Sequence, residues 1–279
     1  MKEKALYSPL EMLVLLMKYA KLSIKSILEY KFDRVFITIA IFCREMISVV
    51  VMFLILTRFV RIKGWEYNQM FFLYSFLFLS YSVFVLFFAG MRDFDNMIYS
   101  GEFDRFLTRP LGLMYQIIAS KIDLSAALGH GIVGIILFVN TAFSVGINWN
   151  IKNIIYYIVI LLTGAVIQAS IFLFSACFSF WTYKVDNLRN LIFFNARRIS
   201  GYPLSFYPGI IQKLLMFVVP FAFVNFFPAQ YFLRKSEMSS YWNGFLYMTP
   251  VVAVIMFLLV YAFWKKGVSR YSSTGTAMN

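Results

Sequence analysis

The chain is poor in charge, in histidine and in cysteine, and each shortage excludes a class of function. Charged residues make up 14% of its 279 residues, with 13 acidic side chains against 26 Lys and Arg. One His and two Cys cannot build the common zinc sites of Cys and His, and both Cys lie in apolar runs. No Gly is followed by Lys, so the chain lacks the phosphate-binding loop of an ATPase. We expect no catalytic site, no metal and no cofactor in this chain.

Apolar sequence, by contrast, is abundant. The chain is 61% hydrophobic with a mean hydropathy of +0.74, whereas soluble domains are about 45–50% apolar. A bilayer core about 30 Å thick requires roughly 20 apolar helical residues to cross it. Six stretches meet that length: 35–57, 70–90, 122–145, 154–181, the proline-interrupted 202–233, and 244–264. The sequence predicts an all-α membrane protein with six transmembrane helices.

Lys and Arg are distributed unequally on the two sides of these predicted spans. Eighteen lie in the segments on the amino-terminal side and six in the segments on the other side. The positive-inside rule then predicts a multi-pass protein of the cell membrane with both termini in the cytoplasm. The net charge of +13 is spread over short loops, which favours contact with anionic membrane lipids and argues against nucleic-acid binding. We expect a cytoplasmic segment at 1–33, a transmembrane domain at 34–264 and a cytoplasmic tail at 265–279.

The segment 9–30, before the first span, has the periodicity of an amphipathic helix. Pro9 suits a helix start, and Ser8 suits the N-cap position. Its charged side chains share an arc of about 80° on a helical wheel: Glu11, Lys18, Lys21, Lys25 and Glu29. The pattern predicts an interface helix that lies along the inner leaflet or is covered by protein. A simple anchor and a signalling role both remain open for it.

The loop at 91–113, between spans two and three, alternates charged with large apolar residues. Gly101 permits a turn, and Pro110 stops a helix from continuing. Between them, 102–108 can form two helical turns with Phe103 and Phe106 on one side. Such a short helix suits docking on another protein. The alternative is an interfacial loop whose aromatic rings dip into the lipid headgroups.

Three of the ionisable residues inside the predicted spans, Arg44, Glu45 and His130, are candidates for a functional role. Arg44 and Glu45 are near the middle of span one, where each charge costs at least about 2.5–3.5 kcal/mol. Neighbouring side chains point about 100° apart on a helix, so we expect at least one of them to pair with another helix. Locking two subunits together and contacting a substrate are equally open roles. His130 lies among glycines, which favours close helix packing over a polar lining in a transport path.

Three parts of the sequence resemble one known family. Residues 101–111, Gly-Glu-Phe-Asp-Arg-Phe-Leu-Thr-Arg-Pro-Leu, resemble the pattern Gly-x-(Phe/Leu)-Asp-x-x-Leu-x-(Arg/Lys)-Pro-(Leu/Val) of ABC-2 permeases. The matching branch is that of uncharacterised ABC-type export permeases. Gly64-Trp65 is similar to its Gly-Trp pair. The segments at 207–208, 219–223 and 227–229 are similar to its Tyr-Pro … Ile-Pro-Phe … Tyr-Pro-Ala signature.

The resemblance implies a type V exporter-like architecture and a transmembrane permease subunit of an ATP-binding-cassette exporter. Such a subunit forms the translocation path with a second permease, homologous or identical. Two separate ATPase subunits, which bind ATP and Mg, drive it. The loop 91–113 becomes the coupling loop, with Phe103 and Phe106 as apolar anchors on the ATPase. The coupling residues are Gly101, Glu102, Phe103, Asp104, Arg105, Phe106, Arg109 and Pro110.

The resemblance also implies a re-entrant segment at about 219–233 on the extracytoplasmic side. Pro220, Asn225 and Pro228 are its candidate gate residues, and 184–198 becomes a cytoplasmic surface helix before span five. Glu102 departs from the family, which often has a small or hydroxyl residue there. Arg44, Glu45 and His130 are the candidate polar residues of the pathway. The alternative function is a membrane-embedded assembly or immunity factor that transports nothing.

Overall fold

A computed structural model describes residues 9–56, 58, 62–182, 185–235, 237 and 243–272. The described chain is helical, and its one β pairing is an isolated bridge from Ile62 to Trp65. Its α-helices are α1 (Pro9–Glu29), α2 (Lys31–Leu56), α3 (Tyr67–Phe87), α4 (Ala89–Arg92), α5 (Phe94–Tyr99), α6 (Glu102–Leu107), α7 (Leu113–Ala119), α8 (Leu124–Ala142), α9 (Ile151–Cys177), α10 (Asp186–Arg189), α11 (Ala196–Ile199), α12 (Gly209–Lys213), α13 (Phe226–Leu233) and α14 (Thr249–Val268).

Five of these helices are long and apolar enough to cross a membrane: α2, α3, α8, α9 and α14. A 3-10 turn continues α9 to Phe180. They confirm five of the predicted spans to within a few residues at most ends. We name the membrane side at which α2 begins the near face, and the opposite side the far face. Because successive spans alternate in direction, α3 and α9 end at the near face, as does α14.

The core of the bundle forms around α3, which packs against α8, α9 and α13, while α2 packs against α8. Two thirds of its membrane-crossing window is buried, whereas α2 and α14 are buried over only 22% of theirs. Glycines on α8 allow the close approach. A Cβ at Gly131 would lie 2.8 Å from Ser82 Oγ, and one at Gly134 would lie 2.8 Å from Leu79 Cδ2. The predicted packing role of this glycine run is therefore confirmed.

The fifth crossing is not where the hydropathy pattern predicts it. Residues 186–205 run beside α3 from one face to the other. At the near face Arg189 pairs with Asp95, and at the far face the ammonium of Lys63 donates to the Ser205 carbonyl. Between these ends, Arg197 stacks on Tyr81 of α3. The prediction of a cytoplasmic surface helix at 184–198 is thus wrong for the described residues 185–198.

The apolar stretch predicted as span five folds instead as a hairpin that enters and leaves at the far face. Its two parts, Gly209–Val218 and Phe221–Leu233, bend by 77° at their junction. Val224 reaches inward to the middle of α9, where its Cγ1 would lie 3.5 Å from a Cβ at Gly164. The far-face hairpin therefore begins at Gly209, ten residues earlier than the predicted re-entrant segment at 219–233.

The amphipathic helix α1 has nearly the predicted extent, and it contacts α2 and α7 at the near face. Lys18, Lys21 and Lys25 are exposed, as predicted for the charged stripe. The predicted domain boundaries at 34 and 264 fall inside α2 and α14, because these helices begin at Lys31 and end at Val268. Ser8 lies outside the described residues.

Candidate functional site

The near-face element, residues 91–110, is a chain of short helices between α3 and α7. Gly101 separates α5 from α6 and has φ = 71°, a left-handed conformation that suits glycine. From there α6 runs over Glu102–Leu107, close to the predicted two turns, and it ends before Pro110. The local structure of the loop is therefore as the sequence predicts.

The side of α6 that faces outward differs from the prediction. Phe103 and Phe106 are buried within the chain, so their expected role as anchors on a partner protein is wrong. The Phe103 ring packs at 5.6 Å from Phe94 and 5.0 Å from Tyr271. The chain needs these rings to hold α6 against the bundle. The exposed residues are Glu102, Arg105, Leu107, Thr108, Arg109 and Pro110.

A buried ion pair ties the near-face element to the fifth crossing. The Arg189 guanidinium donates to both oxygens of Asp95, at 3.2 and 2.8 Å. The Asp95 side chain is 2% exposed and that of Arg189 is 12% exposed. Burial raises the pKa of the Asp95 carboxyl, and the nearby Arg189 charge opposes this rise. Sequence reasoning missed this pair because its members are 94 positions apart.

Two further contacts fix α6 itself. The Tyr271 hydroxyl donates to Asp104 Oδ1 at 3.0 Å, which joins α6 to the chain just after α14. Burial raises the pKa of Tyr271 to about 12, so the hydroxyl keeps its proton at neutral pH. On the other side, Gln116 Nε2 donates to the carbonyls of Phe106 and Leu111, at 3.1 and 2.8 Å. These contacts connect α6 with α14 and α7.

A second group of ionic contacts holds the start of the near-face element against α8. Arg92 Nη2 lies 2.6 Å from Asp123 Oδ2, and Lys121 pairs with Asp93. Asp123 also accepts from the amide of Ala126, which caps the start of α8. The near-face element is consequently joined to four parts of the bundle: α7, α8, the fifth crossing and the end of α14.

A polar cluster, which we name the interior cluster, reaches from the exposed Arg44 on α2 into the bundle, at the residues that sequence reasoning singled out. Arg44 donates from Nε and Nη2 to Glu45 Oε1, at 2.9 and 2.6 Å. The two neighbours therefore pair with each other, although their side chains leave the helix about 100° apart. Glu45 Oε1 also lies 3.9 Å from His130 Nδ1 on α8, but no hydrogen bond joins the two among the described residues, so a partner on another helix stays a prediction.

The interior cluster continues to the fifth crossing through an arginine that sequence reasoning placed on the surface. The His130 ring meets Tyr81 edge-on at 4.5 Å, and the Arg197 guanidinium lies 4.3 Å from the centre of the Tyr81 ring. Four parts of the chain thus meet at these side chains. Among the described residues, no group of three or more His, Cys, Asp or Glu could hold a metal ion.

The predicted gate residues lie in the far-face hairpin. Pro220 is at the bend, and Pro228 is within the first turn of α13, where a proline costs no helical hydrogen bond. Asn225 is fully buried, and its Nδ2 donates to the Ser200 carbonyl at 2.6 Å. All three residues lie in the far-face hairpin, and the gate role remains a prediction.

Comparison with known proteins identifies the family. A family model described as ABC-2 family transporter protein matches residues 42–275. No curated protein and no solved structure matches the chain. The match covers most of the chain, including the second half of α2, all the later crossings, the near-face element and the far-face hairpin. The chain therefore belongs to the ABC-2 transporter family, as a multi-pass membrane permease.

Proposed function

We propose that this permease is the transmembrane subunit of an ATP-driven exporter and that its near face lies in the cytoplasm. Permeases of this family work with separate ABC ATPases. The positively charged segments between the crossings support the orientation, since they occur mainly at the near face. In this arrangement the near-face element docks on an ATPase, which binds ATP and Mg, and conveys its movement to the crossings.

The observation that carries the proposal is the two-sided character of α6. Its buried side is fixed to the bundle by Phe103 and Phe106, while Arg105, Leu107 and Arg109 remain exposed. The Leu107 side chain is 39% exposed at the middle of this surface. An apolar residue flanked by cations on a rigid base suits a groove of opposite charge on a partner protein.

The same element is built to transmit force. A push on α6 reaches the fifth crossing through Asp95 and Arg189, and it reaches α14 through Asp104 and Tyr271. Both connections are directional hydrogen bonds involving a carboxylate, which are stronger than neutral ones. The crossings would therefore move together with the docked ATPase.

The docking surface is tested by reversing one charge on it. We expect Arg105→Glu to weaken copurification of the partner ATPase by about tenfold, equivalent to about 1.4 kcal/mol. The matched control is Lys266→Glu, which reverses an exposed cation at the near face but outside the near-face element. Equal retention of the ATPase by both variants would overturn the docking assignment.

We further propose that a second permease, identical or homologous, covers α2. The Arg44 side chain is 66% exposed halfway along this helix, among apolar residues. Lipid exposure of such a charge costs at least about 2.5–3.5 kcal/mol, which a protein partner would remove. The pathway would then lie between the two permeases, near Glu45 and His130.

The test of this contact is Arg44→Leu, with Ile47→Leu as the control on the same exposed helix. We expect the first substitution to reduce the two-permease assembly, measured by cross-linking in the membrane, and the second to leave it intact. If assembly and export both persist after Arg44→Leu, neither a subunit contact nor a pathway role stands for this residue.

A further inference from the structure

A cleft of about 850 Å³ opens at the far face, away from the near-face element and the interior cluster. We name it the far-face cleft. It lies between the start of α9, the end of α13 and the segment before α14. Its walls carry many side-chain amides: Asn148, Asn150, Asn153, Gln230 and Asn243.

The far-face cleft is positively charged. Lys152, Arg234 and Lys235 line it, and none of its lining residues is an Asp or Glu. Lys235 is engaged, because its ammonium donates to the Gly64 carbonyl at 2.7 Å. Lys152 and Arg234 are exposed and form no hydrogen bond or ion pair through their side chains among the described residues. Loops on the far side of a membrane are ordinarily poor in Lys and Arg, so two cations at one cleft, neither paired with a described residue, need an explanation.

Two further donors point to an anion. Lys152 is in the first turn of α9, a 27-residue helix whose dipole is positive at this end. Asn150 caps that helix by accepting from the amide of Asn153 at 2.9 Å. Gln230 is 2% exposed, and its Nε2 has no hydrogen-bond partner within the described part of the chain. A buried amide of this kind is stabilised by an acceptor brought by a ligand.

One wall of the far-face cleft is aromatic. The rings of Tyr231 and Tyr247 lie 5.3 Å apart and nearly edge-on. The Tyr231 hydroxyl donates to Asn153 Oδ1 at 3.2 Å, which fixes the ring against α9. An aromatic wall beside amides suits a molecule with C–H faces and hydroxyl groups, because rings pack on the former and amides bond the latter.

We propose that the far-face cleft binds a phosphate group on a hydroxyl-rich molecule, with Lys152 and Arg234 as its cationic ligands. A phosphate fits better than a carboxylate because donors approach from α9, from α13 and from the interior, and a phosphate offers more acceptor oxygens. Both a glycerophospholipid headgroup and a soluble glycerol phosphate have this chemistry. The extracytoplasmic location of the site rests on the proposed orientation, whereas the binding chemistry does not.

The experiment measures equilibrium binding to the full chain in phosphate-free maltoside micelles, without ATPase or ATP. One arm uses labelled phosphatidylglycerol, and the other uses labelled glycerol 1-phosphate. We expect Lys152→Gln/Arg234→Gln to weaken binding by about tenfold or more, since two charge-assisted bonds are lost. The matched control is Arg58→Gln/Lys63→Gln, which removes two charges from the same face outside the cleft.

Binding in the lipid arm alone identifies a headgroup site, and binding in the soluble arm identifies a site for a free phosphate ester; either supports the proposal. If the two double variants weaken binding of the probe equally, the probe is attracted to the charged surface in general, and the proposal is overturned. Absence of binding of both probes to the unaltered chain would overturn it as well. Size-exclusion profiles of the variants verify folding. Because no ATPase is present, these outcomes are independent of the docking test at Arg105.

Discussion

The two ends of the bundle are held together by different kinds of interaction. At the near face, Asp95 pairs with Arg189 and Arg92 pairs with Asp123. The far-face hairpin is held by aromatic rings and by neutral hydrogen bonds, such as the one from Asn225 to the Ser200 carbonyl. Charged pairs require a fixed geometry, whereas aromatic packing tolerates several arrangements. The near face therefore suits transmission of a movement, and the far face suits repacking when a path opens.

The largest expected effect comes from removing the buried ion pair at the near face. Arg189→Ala leaves the buried Asp95 carboxylate without its partner, which should lower the free energy of unfolding by about 3–5 kcal/mol. Lys121→Ala is the control, because Lys121 is 46% exposed and its pair with Asp93 is worth less than about 1 kcal/mol. Thermal unfolding in detergent measures both. Similar midpoints for the two variants would show that the near face does not depend on the buried pair.

A somewhat smaller effect is expected from the aromatic packing of the far-face hairpin. Phe223 is 3% exposed and lies 4.8 Å from Phe227 and 5.6 Å from Phe245. Phe223→Ala should cost about 3 kcal/mol in unfolding, at the lower end for a buried Phe because the hairpin can partly collapse. ATPase copurification should not change, since this residue is remote from the near-face element. Loss of the ATPase at unchanged stability would contradict the separation of the two ends.

The neutral hydrogen bond in the hairpin should contribute less. Asn225→Ala leaves the buried Ser200 carbonyl unpaired and should lower the free energy of unfolding by about 1–3 kcal/mol. Asn140→Ala removes an amide that donates to the Ile136 carbonyl at an exposed position, and it should change stability by no more than about 0.5 kcal/mol. Equal destabilisation by the two substitutions would mean that the hairpin contact has no special role.

The sequence predicts most of this architecture because five crossings are uninterrupted apolar helices. It misplaces the fifth crossing for a physical reason. Residues 186–205 include Asp186, Arg189, Arg197 and Arg198, so their hydropathy resembles that of a surface segment. Tertiary partners compensate two of these charges: Asp95 pairs with Arg189, and the Tyr81 ring lies under Arg197. Such partners cannot be read from local sequence.

The far-face hairpin causes the opposite error, because its hydropathy predicts a crossing that the hairpin does not make. It is apolar and long enough to span a bilayer, and the bend near Pro220 is a property of the folded chain. At the near face, the turn at Gly101 and the short helix after it follow from local sequence, whereas the direction of Phe103 does not. The local sequence does not distinguish a buried Phe103 from an exposed one, because its burial depends on packing against Phe94 and Tyr271.

The most direct test of the account uses a photo-reactive benzoylphenylalanine at Leu107, on the exposed side of α6. The same group at Tyr247, which is 58% exposed at the far face, is the matched control. After irradiation of cells that contain the partner ATPase, we predict a cross-linked adduct of permease and ATPase from position 107 and none from position 247. An ATPase adduct from position 247 without one from position 107 would contradict the docking role and the orientation together.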